Sequence, residues 1–270
     1  MGIKTVTDGY LRHVTFLALW LAAGFCQADF EAGEKAFREG LYEVALNRFQ
    51  ESAAEGYPPA QYHLGFMYDK GLGVKKDHAV AAIWYTRAAQ QGYAYAQNNL
   101  AELYRQGLGV KKDLQQAAKW YREAARRGIL NAQFSLAEMY RRGQGIKKDL
   151  RLAEKWLLKA AERGYTDAQT ELGLMYYHGK DVKRNYIQAA KWFKRAANQG
   201  HVKAQHMLGL FYMQGIGGLG KNRIRAFVWL SLAARQDQQS GEYLRKLRRS
   251  LSDKELSKAN SILARYTKRF

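Results

Sequence analysis

Residues 60–92 read AQYHLGFMYDKGLGVKKDHAVAAIWYTRAAQQG, and residues 96–128 read AQNNLAELYRQGLGVKKDLQQAAKWYREAARRG, which is the same pattern displaced by 36 positions. The pattern occurs five times in the 270 residues, with its Ala-Gln pair at 60–61, 96–97, 132–133, 168–169 and 204–205. A fixed period of this length is the signature of a repeat architecture in which each repeat is one supersecondary unit.

The first half of each unit predicts an α-helix. Counting from the alanine as offset 0, leucine stands at offset 4, glycine or alanine at offset 5 and tyrosine at offset 8. These offsets share one face of a helix with 3.6 residues per turn. The small residue at offset 5 would let a neighbouring helix approach closely, and a glycine at offset 11 would end the helix.

The second half predicts another helix. An Asp or Asn that can serve as its N-cap recurs at Asp77, Asp113, Asp149, Asn185 and Asn222. The fifth unit has one extra residue in its glycine-rich turn. A tryptophan follows in each unit, at Trp84, Trp120, Trp156, Trp192 and Trp229. Its presence in every unit favours a structural packing role over a cofactor platform.

Each unit is therefore predicted to be a helical hairpin, and the fold is predicted to be an all-α solenoid. A single hairpin cannot bury its apolar face, so stacked hairpins would share one continuous core. We expect a degenerate capping repeat at 29–56, then five units within 57–236, and a C-terminal capping helix at 237–270. The units cover about 60–95, 96–131, 132–167, 168–203 and 204–236.

The repeat resembles that of the SEL-one-like repeat (SLR) family. The motif that carries the resemblance is A-Q-x-x-L-G-x-x-Y-x-x-G-x-G-V-x-x-D, followed by A-x-x-W-Y-x-x-A-A-x-x-G. The resemblance covers about residues 57–236. It implies a right-handed α/α superhelix related to tetratricopeptide repeats, with the first helices on the concave surface. It also implies an adaptor role in assembling protein complexes, and many bacterial members are exported. One cysteine-rich branch is associated with β-lactam binding and hydrolysis.

Residues 1–28 are predicted to be a secretory signal peptide. Lys4 and Arg12 supply the positive start, and residues 14–25 form an uncharged apolar stretch. Cys26 and Ala28 suit cleavage after Ala28, although a retained anchor is the alternative. We therefore expect a periplasmic or secreted protein. Cleavage would remove the single cysteine, which argues against the cysteine-paired β-lactamase-like branch.

The sequence offers little evidence for catalysis. Its Gly-x-Gly strings follow helices instead of strands, so they indicate hairpin turns and not phosphate loops. The histidines show no metal-binding pair spacing, and no serine lies in a Gly-x-Ser-x-Gly motif. We predict no catalytic residue, no metal site and no cofactor.

Variable positions on the first helices predict a partner-binding surface. Offsets 2, 3, 6, 9 and 10 vary between units while the others stay apolar or small. Exposed aromatic and basic residues there would suit a peptide or helix bound in a groove. The alternative is that these positions are simply unconstrained. The concave-face candidates are Tyr62, Asn98, Arg105, Phe134, Arg141, Tyr177 and His206.

A second candidate surface is a row of basic residues. It directly precedes the N-caps, at Lys76, Lys112, Lys148, Arg184 and Lys221, and we call it the basic ladder. Together with the net charge of +20, it could engage an anionic polymer or a membrane surface. The alternative is that lysines merely keep the turns soluble. Nucleic acid is not an expected partner, because no recognition motif occurs and the chain is expected to be exported.

These observations favour a non-enzymatic protein-binding scaffold in the bacterial cell envelope. A β-lactam-binding or hydrolysing enzyme is one alternative, and a secreted factor that binds host proteins is another.

Overall fold

The computed structural model describes residues 27–179 and 182–267, and within these ranges the chain forms fourteen α-helices and no β-strand. The predicted all-α repeat fold is therefore confirmed. The helices are α1 (27–38), α2 (Tyr42–Ala54), α3 (Pro58–Lys70), α4 (His78–Gln90), α5 (Ala94–Gln106), α6 (Leu114–Arg126), α7 (Leu130–Arg142), α8 (Leu150–Glu162), α9 (Thr166–His178), α10 (Tyr186–Ala197), α11 (Val202–Gln214), α12 (Arg223–Ala233), α13 (Gln238–Arg248) and α14 (Asp253–Thr267).

The turn inside each hairpin is fixed at both ends by repeated residues. Gly71 ends α3 with a left-handed backbone at a φ of 73°, and Gly107 ends α5 in the same way at 78°. Asp77 begins α4 by accepting hydrogen bonds from the backbone N–H groups of Ala79 and Val80. Equivalent side-chain caps begin the other second helices, at Asp113, Asp149, Asn185 and Asn222.

The repeated tyrosine closes each turn through its main chain. The N–H of Asp77 donates to the carbonyl of Tyr68 at 2.9 Å, and Asp113 makes the same bond to Tyr104 at 3.0 Å. This carbonyl lies in the last turn of the first helix, where it has no partner within the helix. The bond therefore ties the start of the second helix to the end of the first.

The small residue at offset 5 allows the two helices of a hairpin to touch. A Cβ placed on Gly65 would lie 2.6 Å from the ring of Tyr85, and one on Gly173 would lie 2.5 Å from the ring of Phe193. Both rings are fully buried, at 0% exposure. The residue directly after the tryptophan therefore fills the inside of the hairpin.

The tryptophan itself packs between hairpins. Trp84 lies against a core that includes Phe49 of the preceding hairpin and Leu64 of its own. A cationic side chain covers the exposed side of this ring, with Arg87 4.5 Å from the ring centroid. Trp120 packs in the same way, against a core shared by its own hairpin and the preceding one. The remaining three contribute to apolar cores farther along the chain: Trp156, Trp192 and Trp229.

The glutamine of the Ala-Gln pair joins successive hairpins. The Nε2 atom of Gln97 donates to the carbonyl of Ala89 at 3.1 Å, and Gln169 donates to Ala161 at 2.9 Å. Each glutamine is only 3% exposed. The alanine carbonyls stand in the last turn of the preceding helix and each also accepts the backbone N–H of the glycine three residues later, Gly92 or Gly164, so the glutamine adds a second donor and its own buried amide gains an acceptor.

The helices form two compact units, Met1–Ala132 and Gln133–Phe270, and the division falls inside α7. Successive hairpins contribute to each core, as expected for repeats that cannot bury their apolar faces alone. Fully buried side chains of the first unit include Phe49, Leu64, Tyr85, Leu100 and Tyr121. Those of the second unit include Leu157, Leu172, Phe193, Leu208 and Phe211.

The two ends depart from the repeat. Helices α1 and α2 occupy the predicted N-terminal capping repeat, and Phe49 is fully buried at the position that Tyr85 has one repeat later, while Arg48 stands where Trp84 follows. The prediction of one capping helix in 237–270 is wrong, since α13 and α14 both lie there. A capping box separates them, because Ser252 accepts from the N–H of Glu255 at 3.4 Å while its own N–H donates back to that carboxylate at 3.0 Å.

The predicted leader lies outside the described residues up to position 26, while residues 27 and 28 belong to α1. None of the helices within 27–179 and 182–267 has the length and apolarity that crossing a bilayer requires. The expectation of export therefore stays a prediction.

The contact between Gly173 and Phe193 can be tested by adding one methyl group. Gly173→Ala should lower the free energy of unfolding by about 1–3 kcal/mol, because the buried ring has no free space into which to move. Urea unfolding followed by circular dichroism would measure the loss. Gly241→Ala in α13 is the matched control. A Cβ there meets no atom within 4 Å, so the helix should gain up to about 1 kcal/mol. Equal unfolding midpoints for the two variants would contradict the close-contact account.

Candidate functional site

An open groove of about 1140 Å³ lies within the unit Gln133–Phe270. It is lined by the end of α7, by α9 and α11, and by the segment that leads into α13. The helices α7, α9 and α11 are the first helices of successive hairpins. The groove therefore runs over the surface on which the repeat pattern predicts a partner.

The lining is partly apolar and partly charged. Leu174 and Tyr177 of α9 contribute apolar surface, and Met207 and Leu210 of α11 continue it. All four side chains are partly exposed. Three lysine or arginine residues line the groove beside two carboxylates. A lining of this mixture suits a peptide segment, since apolar contacts supply area while a few polar groups fix orientation.

Two arginines at the end of α7 share one carboxylate. Arg141 donates to Glu138 at 2.8 Å and also lies 3.7 Å from Glu171 across the groove. Arg142 pairs with Glu138 at 2.9 Å but is 57% exposed. Burial raises the pKa of Glu171, and the negative charge of Glu138 raises it further. Glu171 is therefore held inside the groove wall by Arg141.

A buried polar cluster ties α11 to α13 at one end of the groove. The Nδ1 atom of His206 lies 2.7 Å from the Oγ atom of Ser240 and 3.3 Å from an oxygen of Asp237. The Ser240 hydroxyl donates to Asp237, the N-cap of α13, at 2.5 Å. Burial lowers the pKa of His206, and the nearby Asp237 carboxylate partly opposes this shift.

This cluster contains the residue types of a hydrolase but lacks an available nucleophile. A nucleophilic serine must present its hydroxyl to the substrate and give its proton to a base. Ser240 is instead 0% exposed, and its hydroxyl donates to the carboxylate that caps α13. The geometry is that of a helix cap that also fixes the ring of His206.

Three of the seven predicted concave-face residues meet in the groove, namely Arg141, Tyr177 and His206. Tyr177 also packs its ring against Phe211, at 5.7 Å between centroids. Phe134 belongs to the same unit but packs against Tyr165 at 5.6 Å and does not line the groove.

The remaining three predicted residues lie in the unit Met1–Ala132. The ring of Tyr62 packs between those of Tyr85 and Tyr93, at 5.9 and 5.3 Å. Asn98 donates its side-chain amide to Asn99 at 3.1 Å. Arg105 is exposed and pairs with Glu102 on its own helix. These residues mainly contact their structural neighbours, and the predicted set is divided between the two units.

The five basic-ladder residues are all exposed in the hairpin turns, as are the adjacent lysines at 75, 111, 147 and 183. None of the ion pairs formed among residues 27–179 and 182–267 involves them. Arg184 packs over the ring of Tyr186 at 5.5 Å. The ladder positions are therefore available to an external anion.

Several groove residues were missed although the repeat period contains their signal. Offsets 3, 6 and 10 are variable like offsets 2 and 9, and they provide Glu171, Leu174, His178, Met207 and Leu210. Other lining residues come from the turn before α11 and from the non-repeating start of α13. The turn before α11 falls within the repeat register, but no register marks the start of α13. Within the described part of the chain, no cluster of His, Cys, Asp and Glu side chains could hold a metal ion.

The Glu102 carboxylate makes a pH-dependent contact within the compact unit Met1–Ala132. Glu102 accepts from the Nε atom of Arg105 at 2.8 Å and from the hydroxyl of Tyr121. The Arg105 hydrogen bonds, followed by the Tyr121 bond, lower the pKa of Glu102 from 4.5 to about 2 despite partial burial. A carboxyl group whose pKa is lower in the folded chain than in the unfolded chain stabilises the fold at pH values above the unfolded-state pKa. This stabilisation is lost as the pH falls toward the folded-state pKa.

Wild type should therefore be more stable than Glu102→Gln above about pH 5, and this advantage should disappear as pH falls from 4.5 toward 2. Urea midpoints of both proteins measured across this range give the difference. Arg105→Gln should show a weaker pH dependence than wild type, because it removes the largest cause of the shift. A wild-type advantage that stayed constant down to pH 2 would contradict the assignment.

Comparison with known proteins agrees with this geometry. A family model described as the Sel1 repeat matches residues 58–93, 94–129, 130–165, 166–201 and 202–238. A protective antigen present in uropathogenic Escherichia coli strains, described as displaying an SLR fold, is similar with a TM-score of 0.82 and 33% identity over 94% of this chain. The chain spans 56% of that antigen's length. A Sel1 repeat protein from Oxalobacter formigenes has a TM-score of 0.73 and 32% identity, covering 80% of this chain and 86% of that protein.

Proposed function

This chain belongs to the Sel1 repeat family, whose members generally mediate protein–protein interactions, and we propose that it is a non-catalytic scaffold that holds a protein partner in the groove. The observation that carries this proposal is the groove itself. It combines partly exposed apolar side chains with charged groups over the first helices of successive hairpins.

The way the groove is built supports binding of a partner. Its residues project from helices whose ends are capped and whose interiors are fully buried. Such a surface is ordered before the partner arrives, so little conformational entropy is lost on its side of the complex. In the predicted superhelix this surface would be the concave one.

We further propose that the scaffold works in the bacterial cell envelope, in the periplasm or after secretion. Support comes from the predicted leader with cleavage near Ala28. The description of one similar protein as a protective antigen agrees with export. Secretion would favour the host-interaction form of the proposal. Immunoblots of periplasm, membranes and culture supernatant would distinguish these locations, and protein found only in the cytoplasm would refute all of them.

A single charge in the apolar part of the groove should strongly reduce partner capture. Met207→Arg places a cation among the side chains of Leu174, Tyr177 and Leu210, where a partner's apolar groups would pack. Ile187→Arg makes the same chemical change on α10, at a side chain that is 67% exposed and outside the groove. Affinity capture from an envelope fraction, quantified by mass spectrometry, compares both variants with wild type.

We expect at least one protein to be captured by wild type and Ile187→Arg and to be reduced about tenfold with Met207→Arg, provided that both variants keep wild-type helicity. Equal capture by both variants would show that the groove is not the binding surface.

The basic ladder supports a second interaction with an anionic polymer or membrane surface. Its exposed cations have no ion-pair partners among the described residues, so they can attract an external anion without breaking an internal pair. Such binding is electrostatic and must weaken as salt is added.

Reversing Lys147, Lys148, Lys183 and Arg184 to glutamate should lower the salt concentration that elutes the protein from heparin. The control reverses four other exposed cations, which lie on and just after α13, at Arg245, Lys246, Arg248 and Arg249. Both variants change net charge equally, so net charge alone would shift both elution points by the same amount. The ladder has a specific role only if its variant elutes clearly earlier than the control.

A further inference from the structure

The charged side chains that line the groove differ in how far they are exposed to solvent. Arg142 pairs with Glu138 at 2.9 Å, but 57% of its side chain stays exposed. Lys203 at the start of α11 is exposed and forms no ion pair among the described residues. Two of the three lysine and arginine side chains of the lining are therefore accessible to an anion from outside.

The two carboxylates of the lining are held by contacts with other side chains of the protein. Glu171 is 25% exposed at its side chain and lies 3.7 Å from Arg141. Asp237 accepts from both the N–H and the hydroxyl of Ser240, at 2.7 and 2.5 Å. These bonds lower the pKa of Asp237 and hold its charge against the start of α13.

Helix ends place partial charges of both signs at the groove. Helices α11 and α13 begin there, whereas α7 and α9 end there. A helix N-terminus favours an anion and a C-terminus favours a cation, so these contributions oppose each other. The attraction of an anion therefore rests on the side chains of Arg142 and Lys203.

An apolar strip accompanies these cations. Leu174 and Leu210 stand at offset 6 of successive units, and Tyr177 and Met207 extend the strip along α9 and α11. A purely anionic polymer would leave this surface unused. A segment that carries both carboxylates and apolar side chains would satisfy the exposed cations and cover the strip together.

We infer that the groove binds an acidic, amphipathic peptide segment of the partner, whose carboxylates lie near Arg142 and Lys203 and whose apolar residues cover Leu174, Tyr177, Met207 and Leu210. This inference rests on the proposed scaffold function and specifies the chemistry of the partner. The chain's net charge of +20 would also speed the approach of such a segment.

The test uses the full purified chain and two synthetic, fluorescein-labelled peptides. One peptide alternates pairs of glutamates with leucine and phenylalanine, and the other has glutamine in place of every glutamate. Fluorescence anisotropy measures both affinities for wild type, for Arg142→Gln/Lys203→Gln and for Arg245→Gln/Lys246→Gln. The last variant removes one exposed arginine and one exposed lysine from α13, outside both the groove lining and the basic ladder, and serves as the matched control.

We expect wild type to bind the acidic peptide about tenfold more tightly than the glutamine peptide. Arg142→Gln/Lys203→Gln should lose most of that preference, and Arg245→Gln/Lys246→Gln should keep it. A labelled polyglutamate without apolar residues should bind more weakly than the acidic amphipathic peptide. Met207→Arg should weaken binding of both labelled amphipathic peptides.

Equal affinity for the two peptides, an equal loss of preference in Arg245→Gln/Lys246→Gln, or no binding of the acidic peptide would each overturn the inference. The scaffold proposal has a separate readout. Capture of an envelope protein that Met207→Arg strongly reduces would still support it if the acidic peptide failed. Circular dichroism of every variant confirms that a lost preference does not reflect unfolding.

Discussion

Stacking of the hairpins depends on one buried amide that crosses from each repeat to the one before it. Gln97 and Gln169 donate to alanine carbonyls at the end of the preceding second helix while remaining almost completely buried. Each of these carbonyls also accepts the N–H of the glycine that follows its helix, so the group that needs the contact is the glutamine amide, which would be costly to bury without an acceptor. The glutamine allows the end of one hairpin to be covered by the next, and the alanine beside it leaves room for that contact.

The repeat period predicted the parts of the fold that depend on local chemistry. N-caps such as Asp77, glycine stops such as Gly71 and the small residue at Gly65 act within a few residues or one hairpin, so one unit is enough to reveal them. Beyond position 236 the sequence predicted one helix where the structure has two, α13 and α14. No repeat register was available there as a guide.

The candidate site was predicted only in part, because residues at the same offset make different contacts in different repeats. Arg105 and Arg141 share offset 9 and pair with a glutamate three residues before them, yet only Arg141 lines the groove. Tyr62 and His206 share offset 2, but the first joins a tyrosine cluster and the second contacts the cap of α13. The groove is completed by α13, which lies outside the repeat, so the period alone cannot locate it.

The central claim is that the first-helix groove holds the partner while the second helices provide support. A photo-cross-linking amino acid in place of Tyr177 or of Ile187 tests it most directly in intact cells, because it requires no knowledge of the partner. Tyr177 lines the groove, and Ile187 is exposed on α10. The account predicts a discrete higher-mass adduct from position 177 and none from position 187. Adducts from position 187 alone, or none from position 177, would contradict it.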